Sequence, residues 1–529
     1  MLSLNDRLAL FDNPQKIALL RGIVRGIEKE SLRVSPNGHI ANTAHPKTLG
    51  SALTHPSITT DYSEALLEFI TAPSCSIEKV LKELDDIHRF SYRQIGEELL
   101  WVSSMPCQLG PDDEIPVAKY GSSNIGQMKQ VYRLGLGHRY GRAMQTIAGI
   151  HYNFSVPDEL WLELQKQQQN TQVLRDFKSE GYFHLIRNFR RYAWLLLYLL
   201  GSAPAVCRSF VANRDHRLSP VGQDSHSLYQ PYATSLRMGD LGYQSQVQSA
   251  VDISYNSLEQ YVISLRGALA KPYQAYDDIG LKDEQGNYQQ LNTHLLQIEN
   301  EFYSAIRPKR TAASNETPLQ ALEHRGVEYI EVRCLDVNPL IACGIDAQTM
   351  RFLDTFLLFC LLSESPKTSS AESLDLSENM LRTVYQGRDY ALMLRRNQTD
   401  VKLRDWGAEL LAQMQPVAEQ LDHAHQNSTQ LYLQGLKKMQ SAIDDSNMTP
   451  SASMLNEMQE NSETYYGMAM RKAQEQRHLF LAGDLDNAIA QTYGALAETS
   501  HSQQAIKENS DSKSFDKFLS DYWRSSQAD

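Results

Sequence analysis

Basic residues are too few in this chain to form a nucleic-acid-binding surface. The 529 residues include 51 Lys and Arg against 63 Asp and Glu, which gives a formal net charge of −12. Proteins that bind nucleic acid through phosphate contacts need a basic stripe or patch. The composition therefore argues against nucleic acid as a partner. Any polyphosphate that binds has to be neutralised locally, by cations or by a few arginines.

Long apolar runs are also missing from the sequence. The longest uncharged one lies between Arg191 and Arg208 and holds 16 residues, whereas roughly 20 are needed to cross a bilayer. We expect a buried core helix there and no membrane partner. The first residues contain acidic side chains and no apolar signal-peptide core, so we expect a cytoplasmic protein.

Paired cysteines and the common catalytic motifs are absent as well. The six cysteines show no CxxC pair and no zinc-site spacing, so we expect ordinary core thiols and no disulfide framework. The sequence contains neither a P-loop nor a GxSxG elbow. The glycines of 135–141 have the wrong spacing for a dinucleotide site, and we expect a turn there. These absences exclude a P-loop enzyme.

Hydrophobic periodicity predicts a mixture of strands and helices over the first 360 or so residues. Residues 26–34, 149–155 and 327–335 alternate as strands do, while residues 77–88 carry apolar side chains at helical spacing. Helices and strands do not alternate one for one along the chain. We therefore expect an α+β fold with a mainly antiparallel sheet.

The composition changes near residue 362. We expect a catalytic core over residues 1–362 and a helical C-terminal region over residues 380–529 that packs on it, either separately or as part of one large domain. Residues 363–379 are rich in serine and acids, which is typical of a surface linker. The polar end from about residue 500 is expected to fray. Helical patterns in this half cover residues 406–421, 429–443 and 465–481.

Six acidic or imidazole side chains are the strongest candidates for a functional site: Glu28, Glu30, Asp61, Glu68, His151 and Glu331. Several carboxylates cannot gather in one place unless cations neutralise them. Oxygen-rich ligand sets favour Mg²⁺ or Mn²⁺, and such ions commonly hold a polyphosphate. This set therefore predicts an ATP-dependent ligase.

Taken alone, the carboxylates also have simpler interpretations. Glu28 and Glu30 share one face of a strand, as in many solvated strands. Asp61 and Glu64 have the spacing of a helical capping box, which leaves Glu68 unexplained on an apolar turn.

The remaining two segments are equally open. His151 lies on the polar face of its predicted strand, where a histidine is usually just exposed, although a neutral imidazole can ligate a divalent ion. Glu331 and Arg333 share a strand face. They form either a cross-strand ion pair or a metal-binding carboxylate beside a guanidinium that suits a phosphoryl group.

The combination of motifs is more specific than any one of them. Six segments occur in order: RGIEKE at 25–30, ITTDYSEALLEF at 58–69, MQTIAGIHYNF at 144–154, LRMGDLGY at 236–243, QIENEFYSAIRPKR at 297–310 and GVEYIEVRCLD at 326–336. Together they closely resemble the bacterial glutamate–cysteine ligases of the proteobacterial branch. The resemblance runs from about residue 20 to about residue 360.

This resemblance implies a fold like that of glutamine synthetase, with a curved, mainly antiparallel sheet. It implies ATP-dependent joining of the L-glutamate γ-carboxylate to the amine of L-cysteine through γ-glutamyl phosphate, the first step of glutathione biosynthesis. Two or three Mg²⁺ ions, with Mn²⁺ as a substitute, feedback inhibition by glutathione and a monomeric protein are further expectations.

The resemblance also implies roles for individual residues. The six acidic and imidazole residues named above match metal ligands, Glu331 and Arg333 match catalytic positions, and Arg333 and Arg310 match phosphate-binding ones. Tyr62 stands where many relatives carry Phe. The segments matching the amino-acid pocket contain Tyr62, Tyr132, Leu136, Gln145, Arg237, Tyr243 and Tyr303.

Three alternatives remain open from the sequence. A related ligase would join glutamate to a different amine, and the tyrosines of the amino-acid pocket would decide which. A metal-dependent hydrolase would use the carboxylate–histidine set to activate water and would need no ATP. A nucleotide sensor would keep the fold without turnover.

Overall fold

An antiparallel sheet carries most of the sequence motifs. The computed structural model describes residues 2–106, 108–212, 214–222, 224–242, 252–313, 316–426 and 428–526. Its strands are β1 (Val24–Val34), β2 (Ile58–Thr60), β3 (Leu66–Ile70), β4 (Leu99–Leu100), β5 (Ile150–Ser155), β6 (Ala205–Cys207), β7 (Ser219–Val221), β8 (Asp224–Tyr229), β9 (Ile306–Lys309), β10 (Tyr329–Leu335), β11 (Met393–Arg396) and β12 (Thr399–Lys402). The main sheet has the order β2-β3-β1-β5-β10-β9, and β4 pairs with β1.

Helices surround this sheet. They are α1 (Leu4–Leu8), α2 (Pro14–Ile17), α3 (Ile77–Tyr92), α4 (Asn124–Tyr140), α5 (Asp158–Gln167), α6 (Leu174–Leu200), α7 (Leu258–Ala270), α8 (Gln274–Ile279), α9 (Pro318–Arg325), α10 (Ala347–Leu362), α11 (Ser370–Gln386), α12 (Leu403–Ala424), α13 (Leu431–Asp444), α14 (Pro450–Glu460), α15 (Tyr465–Leu481), α16 (Asn487–Ser510) and α17 (Phe515–Ser526). All the strand pairs of the main sheet are antiparallel. The predicted α+β class is confirmed.

The strand pleat separates a core face from a polar face. Ile27, Tyr152 and Val332 are fully buried on the core face. Tyr152 donates to Asp354 Oδ1 of α10 at 2.7 Å, and Asp354 also forms a 2.8 Å ion pair with Arg25 of β1. Because successive strand residues point to opposite faces, the glutamates that alternate with Arg25 and Ile27 point away from this core.

The long helix α6 accounts for the apolar run between Arg191 and Arg208. Its C-terminal half is buried from Trp194 to Leu200, and the helix ends where Gly201 caps it. The predicted core helix is therefore confirmed. Among the helices of the described ranges, none is both long enough and apolar enough to cross a membrane.

Two local interpretations of the sequence are wrong. Residues 61–68 are not helical: they form the turn between β2 and β3 and the start of β3, because pairing of β3 with β1 outweighs the local helical spacing. The expected turn at 135–141 is wrong for Gly135 and Gly137, which lie within α4, whereas Gly141 follows Tyr140 and ends the helix with a positive φ of 82°. A side chain at Gly137 would collide with the Tyr62 hydroxyl, so packing explains this glycine.

The C-terminal half is more ordered than its composition predicts. The three predicted helices correspond to α12, α13 and α15. The expected linker at 363–379 is wrong in its second half, where α11 begins with Ser369 capping the N–H of Glu372 at 3.1 Å. The expected fraying from residue 500 is also wrong, since α16 runs to Ser510 and α17 follows. The boundary between core and C-terminal region stays a prediction.

The cysteines only partly follow the expectation. Cys334 and Cys360 are buried free thiols, Cys343 is half-buried and Cys75 is exposed. Cys207 is disulfide-bonded. The expectation of core thiols is therefore wrong for Cys207.

Candidate active site

A cavity of about 420 Å³ opens over the polar face of the sheet. All six predicted metal ligands line it: Glu28, Glu30, Asp61, Glu68, His151 and Glu331. Six of the other predicted site residues line it too: Tyr62, Tyr132, Leu136, Gln145, Tyr303 and Arg333. Residues that lie up to three hundred positions apart in the sequence thus meet in one place.

Strand pairing explains this convergence. Glu28 of β1 lies opposite His151 of β5, and Glu30 lies opposite Glu68 of β3. Glu331 of β10, the strand on the other side of β5, points into the same cavity. In an antiparallel sheet, facing residues on one side have Cβ atoms about 5 Å apart. Register alone therefore places these donors within reach of shared cations.

Glu28, His151 and Glu331 form the tightest donor group. One ligand atom from each lies within 4.8 Å of the other two. His151 Nδ1 is 3.2 Å from Glu28 Oε2 and 3.9 Å from Glu331 Oε1. Two carboxylates and an imidazole suit a divalent cation, so the residues present fit a metal ion.

The neighbouring carboxylates need neutralisation. Burial and the nearby charge of Asp61 raise the pKa of Glu30 to about 8. Burial, with Glu28 and Asp61 close by, raises the pKa of Glu68 well above its usual range. Glu30 Oε2 also accepts the Gly149 N–H at 2.5 Å, which fixes the carboxylate in place. Burial and crowding thus disfavour the charged forms of these two carboxyls, and a bound cation would favour them.

Glu331 has the opposite electrostatic environment. Burial disfavours its charge, but Lys309 and Arg333 together hold the pKa of this carboxyl well below its usual range. Arg333 Nη1 donates to Glu331 Oε2 at 3.0 Å, and Lys309 Nζ donates to Oε1 at 3.3 Å. Glu331 is therefore ionised and its two basic neighbours are oriented.

The basic residues of the cavity differ from those predicted. Arg333 lines the cavity, but Arg310 is not among the lining residues, and its Nε donates to the Gly326 carbonyl at 2.6 Å. Arg307 and Lys309, on alternate positions of β9, face the cavity instead. The period-two spacing of a strand would have favoured these two over Arg310. Lys129 and Arg133 of α4 also line the cavity and were not predicted.

The predicted amino-acid pocket is divided between two adjoining cavities. Gln145 donates to the Tyr303 hydroxyl at 3.0 Å on the wall of the main cavity. Arg237 lies behind it: Nη2 donates to the Arg333 carbonyl at 2.9 Å, and the side chain lines a second cavity of about 170 Å³ together with Tyr303 and Arg333. Tyr243 lies outside the described residues.

Tyr62 carries a polar group without a counterpart. Its hydroxyl is buried and has no hydrogen-bond partner in the described ranges. The side chain lines the cavity and packs near Gly137 of α4. A buried hydroxyl that is not satisfied by the protein is available to a bound substrate.

One end of the cavity has a different character and was not predicted. Its lining is largely apolar, and it includes a residue of the last helix, α17. Met128, Ile298 and Tyr522 at this end pack in one hydrophobic cluster, and Ile125, Glu299 and Pro318 also line the cavity. The apolar spacing of Phe515, Phe518, Leu519, Tyr522 and Trp523 is the signal that would have predicted an amphipathic helix here.

Sequence comparison gives close relatives over the whole chain. A family model described as glutamate–cysteine ligase matches residues 8–383. A protein of Alcanivorax borkumensis named glutamate–cysteine ligase is 50% identical over 99% of this chain and 100% of its own length. A protein of the same name from Saccharophagus degradans is 48% identical over 98% of this chain and 97% of its own length.

Structure comparison agrees. The crystal structure of a glutamate–cysteine ligase from Francisella tularensis in complex with AMP superposes with a TM-score of 0.89 and 36% identity, and the match covers 96% of this chain and 98% of that one. A bifunctional glutathione synthetase from Pasteurella multocida shows the same fold, with a TM-score of 0.69 and 22% identity. The match covers 92% of this chain and 57% of that one.

Proposed function

The chain belongs to the glutamate–cysteine ligase family, as its motifs predicted, and from this premise we propose how its cavity works. The enzyme joins the γ-carboxylate of L-glutamate to the amine of L-cysteine with ATP, giving γ-L-glutamyl-L-cysteine, ADP and phosphate, the first step of glutathione biosynthesis. The observation that carries this function is the convergence of six metal-competent donors and Arg333 in one cavity of a chain related over its full length to such ligases.

We propose that Mg²⁺ occupies the carboxylate end, as two or three ions, with Mn²⁺ as a substitute. Glu28, His151 and Glu331 would hold one ion, because their donor atoms already converge. Glu30, Asp61 and Glu68 would share the others, because they line the same cavity and the carboxyls of Glu30 and Glu68 are crowded by neighbouring carboxylates. Such ions supply charge neutralisation for a transferring phosphoryl group.

The side chains of the enzyme then position two successive reactions. The γ-carboxylate oxygen of glutamate attacks the γ-phosphorus of ATP, the bond to the β-phosphate oxygen breaks, and ADP leaves. Arg333 and Lys309, both already oriented by Glu331, contact the phosphoryl oxygens. The resulting γ-glutamyl phosphate is an activated acyl group.

The second reaction forms the amide. The amine of cysteine attacks the acyl carbon, the carbon–oxygen bond to phosphate breaks, and the amine loses a proton. Gln145 and Tyr303, which are hydrogen-bonded to each other, and Arg237 behind them form the proposed amino-acid pocket. The low pKa of Glu331 makes it a weak base, so we assign its main catalytic role to holding a cation and orienting Arg333 and Lys309.

The acceptor amine is the part of this function that needs a direct test. ADP release should be measured with Mg²⁺, ATP and glutamate, with and without cysteine, and with a panel of other amines. We expect the fastest turnover with cysteine and a product with the mass of γ-glutamylcysteine. A faster reaction with another amine would identify a related ligase, and Tyr62, with its unpartnered hydroxyl, would be the first residue to examine. Release of ADP in none of these reactions would refute the proposed function.

Three further properties belong to this proposal. Glutathione contains the γ-glutamylcysteine moiety, so we expect it to bind the amino-acid pocket and inhibit competitively with glutamate. We expect a monomer, as the resemblance to the family implies. We also expect the enzyme to be cytoplasmic, because its small-molecule substrates occur in the cytoplasm. Inhibition kinetics and sedimentation check the first two expectations directly.

A further inference from the structure

A buried carboxylate lies behind the cavity, where two of its walls meet. One wall is α4, and the other is the segment of residues 298–303. Glu301 belongs to this segment, but it is fully buried and is not among the residues that line the cavity. Direct contact with a substrate therefore does not explain why a carboxylate is buried at this position, and its protein partners have to explain it.

The Glu301 carboxylate uses both of its oxygens to hold the two walls together. Oε1 accepts from Arg139 Nη1 at 2.9 Å and from the Tyr140 hydroxyl at 2.9 Å, both in the last turn of α4. Oε2 accepts the Gln297 N–H at 2.6 Å, just before the segment begins. The side chains of Glu301 and Arg139 are both fully buried, so water does not screen this ion pair and the loss of either partner is costly.

Gln297 extends the connection along α4. Its Nε2 donates to the Tyr132 carbonyl at 3.1 Å, and its Oε1 accepts the Leu291 N–H at 2.9 Å. A side chain at Gly135 would collide with the Gln297 amide, so this close approach to α4 requires a glycine. Glu301 and Gln297 together therefore fix the segment to α4 over about two helical turns.

These contacts border the residues of the proposed amino-acid pocket. Tyr132 and Leu136 of α4 line the cavity, and so does Tyr303 at the end of the segment. The rings of Tyr140 and Tyr303 meet edge to face with their centroids 6.0 Å apart. Glu301 thus reaches Tyr303 through a single side chain, that of Tyr140.

We propose that Glu301 is a positioning residue that sets how well the pocket distinguishes cysteine from other amines. It fixes the distance between α4 and the segment of residues 298–303, and the tyrosines of the pocket lie on both. Discrimination between side chains that differ by one small group depends on the fit of the pocket walls, and a misplacement of about 1 Å can cost on the order of 100-fold in rate. This inference rests on the proposed ligase function.

The test replaces the carboxylate by an amide of the same shape in the full-length enzyme. In Glu301→Gln only one side-chain oxygen is left to accept hydrogen bonds, so either the two α4 donors or the Gln297 N–H loses its acceptor. Steady-state kinetics are measured with cysteine and with alanine, which lacks the thiol. We expect KM for cysteine to rise roughly 5- to 50-fold, and the ratio of kcat/KM for cysteine to that for alanine to fall at least about fivefold.

This ratio separates positioning from a loss of folded enzyme. A lower fraction of folded enzyme reduces kcat equally for both amines and leaves KM and the ratio unchanged. The matched control is Glu323→Gln, because Glu323 of α9 pairs with Arg266 of α7 at 2.5 Å and neither residue lines the cavity. Glu323→Gln should leave KM for cysteine and the ratio within about twofold of the unmodified enzyme.

Tyr140→Phe is a second variant that keeps the buried ion pair. It removes one hydrogen bond to Glu301 and retains the ring beside Tyr303, so we expect the ratio to fall about two- to fivefold. An unchanged ratio in folded Glu301→Gln would overturn the proposal, and so would an equal fall in Glu323→Gln. If Glu301→Gln does not fold, an unchanged ratio in Tyr140→Phe overturns it.

The unmodified enzyme distinguishes this inference from the function on which it rests. If it releases no ADP with glutamate and cysteine, the proposed function fails. If it turns over cysteine and folded Glu301→Gln shows the same ratio, only the positioning role of Glu301 fails.

Discussion

The two ends of the cavity are built from different kinds of structure. At the charged end, Glu28, Glu30, His151 and Glu331 project from three neighbouring strands whose pairing fixes their spacing. At the apolar end, the wall comes from α4, from loops and from α17, which starts at Phe515. The charged end therefore depends on individual ionic groups, whereas the apolar end depends on the packing of elements that are distant in sequence.

This difference predicts that single substitutions at the charged end have the larger effects. Glu331→Gln should lower kcat by at least on the order of 10³-fold, because it removes a metal donor and releases Arg333 and Lys309 from their positions. Circular dichroism and melting temperature should show an intact fold. The control is Glu328→Gln, an exposed glutamate just before β10. Near-normal turnover in Glu331→Gln would remove this residue from the site.

Arg333→Lys tests the charged end with a smaller chemical change than Glu331→Gln. Lysine retains the positive charge but cannot reproduce the planar fork that contacts a phosphoryl group. We expect kcat to fall on the order of 10²-fold, with a much smaller change in KM for glutamate. Steady-state kinetics with glutamate varied measure both. A rise in KM with kcat unchanged would instead place Arg333 in the amino-acid pocket alone.

Lys309 and Arg310 form a matched pair of adjacent cations. Lys309→Ala should lower kcat/KM for ATP about tenfold, because Lys309 lines the cavity and contacts Glu331. Arg310→Ala should change it by less than about threefold, because Arg310 donates to the Gly326 carbonyl instead. The reverse order would restore the role that the family resemblance gave to Arg310.

Removal of metal tests whether the crowded carboxylates bind cations. Mg²⁺ at about 100 times its Kd stabilises a protein that binds it by roughly 2.7 kcal/mol, so the melting temperature of the unmodified enzyme should rise with Mg²⁺ and fall with a chelator. Glu68→Gln should lose most of this rise. Its metal-free form should be no less stable, because burial and neighbouring carboxylates already raise the pKa of Glu68. A full Mg²⁺ response in Glu68→Gln would contradict its assignment as a ligand.

The difference between the strand-built charged end and the packed apolar end also explains which parts of the site could be predicted from the sequence. The period-two pattern around Glu28, His151 and Glu331 identifies strands, and one face of each strand, so most of the charged end was predictable from local sequence. The turn at Asp61 was not predictable from local sequence, because its acidic residues have helical spacing. Only the pairing of β3 with β1 decides the conformation there.

The apolar end needed information that local patterns do not contain. The pattern of α17 predicts an amphipathic helix, and Ser514 caps it by accepting the Lys517 N–H at 3.3 Å. No local signal indicates that this helix packs on α4 or that Tyr522 reaches a cavity whose charged end comes from residues 28–331. Packing between distant elements decides that, and a single sequence does not encode it in any short pattern.

The most direct test of this account follows the oxygen atoms of the first reaction. The enzyme is supplied with glutamate labelled with ¹⁸O in the γ-carboxylate, together with ATP, Mg²⁺ and cysteine, and the released phosphate is analysed by mass spectrometry. Attack of this carboxylate on the γ-phosphorus predicts one ¹⁸O atom in each phosphate from fully labelled glutamate. Unlabelled phosphate in this reaction, together with ¹⁸O-labelled phosphate from a parallel reaction of unlabelled glutamate in ¹⁸O-labelled water, would show that the charged end activates water and would contradict the proposed ligase chemistry.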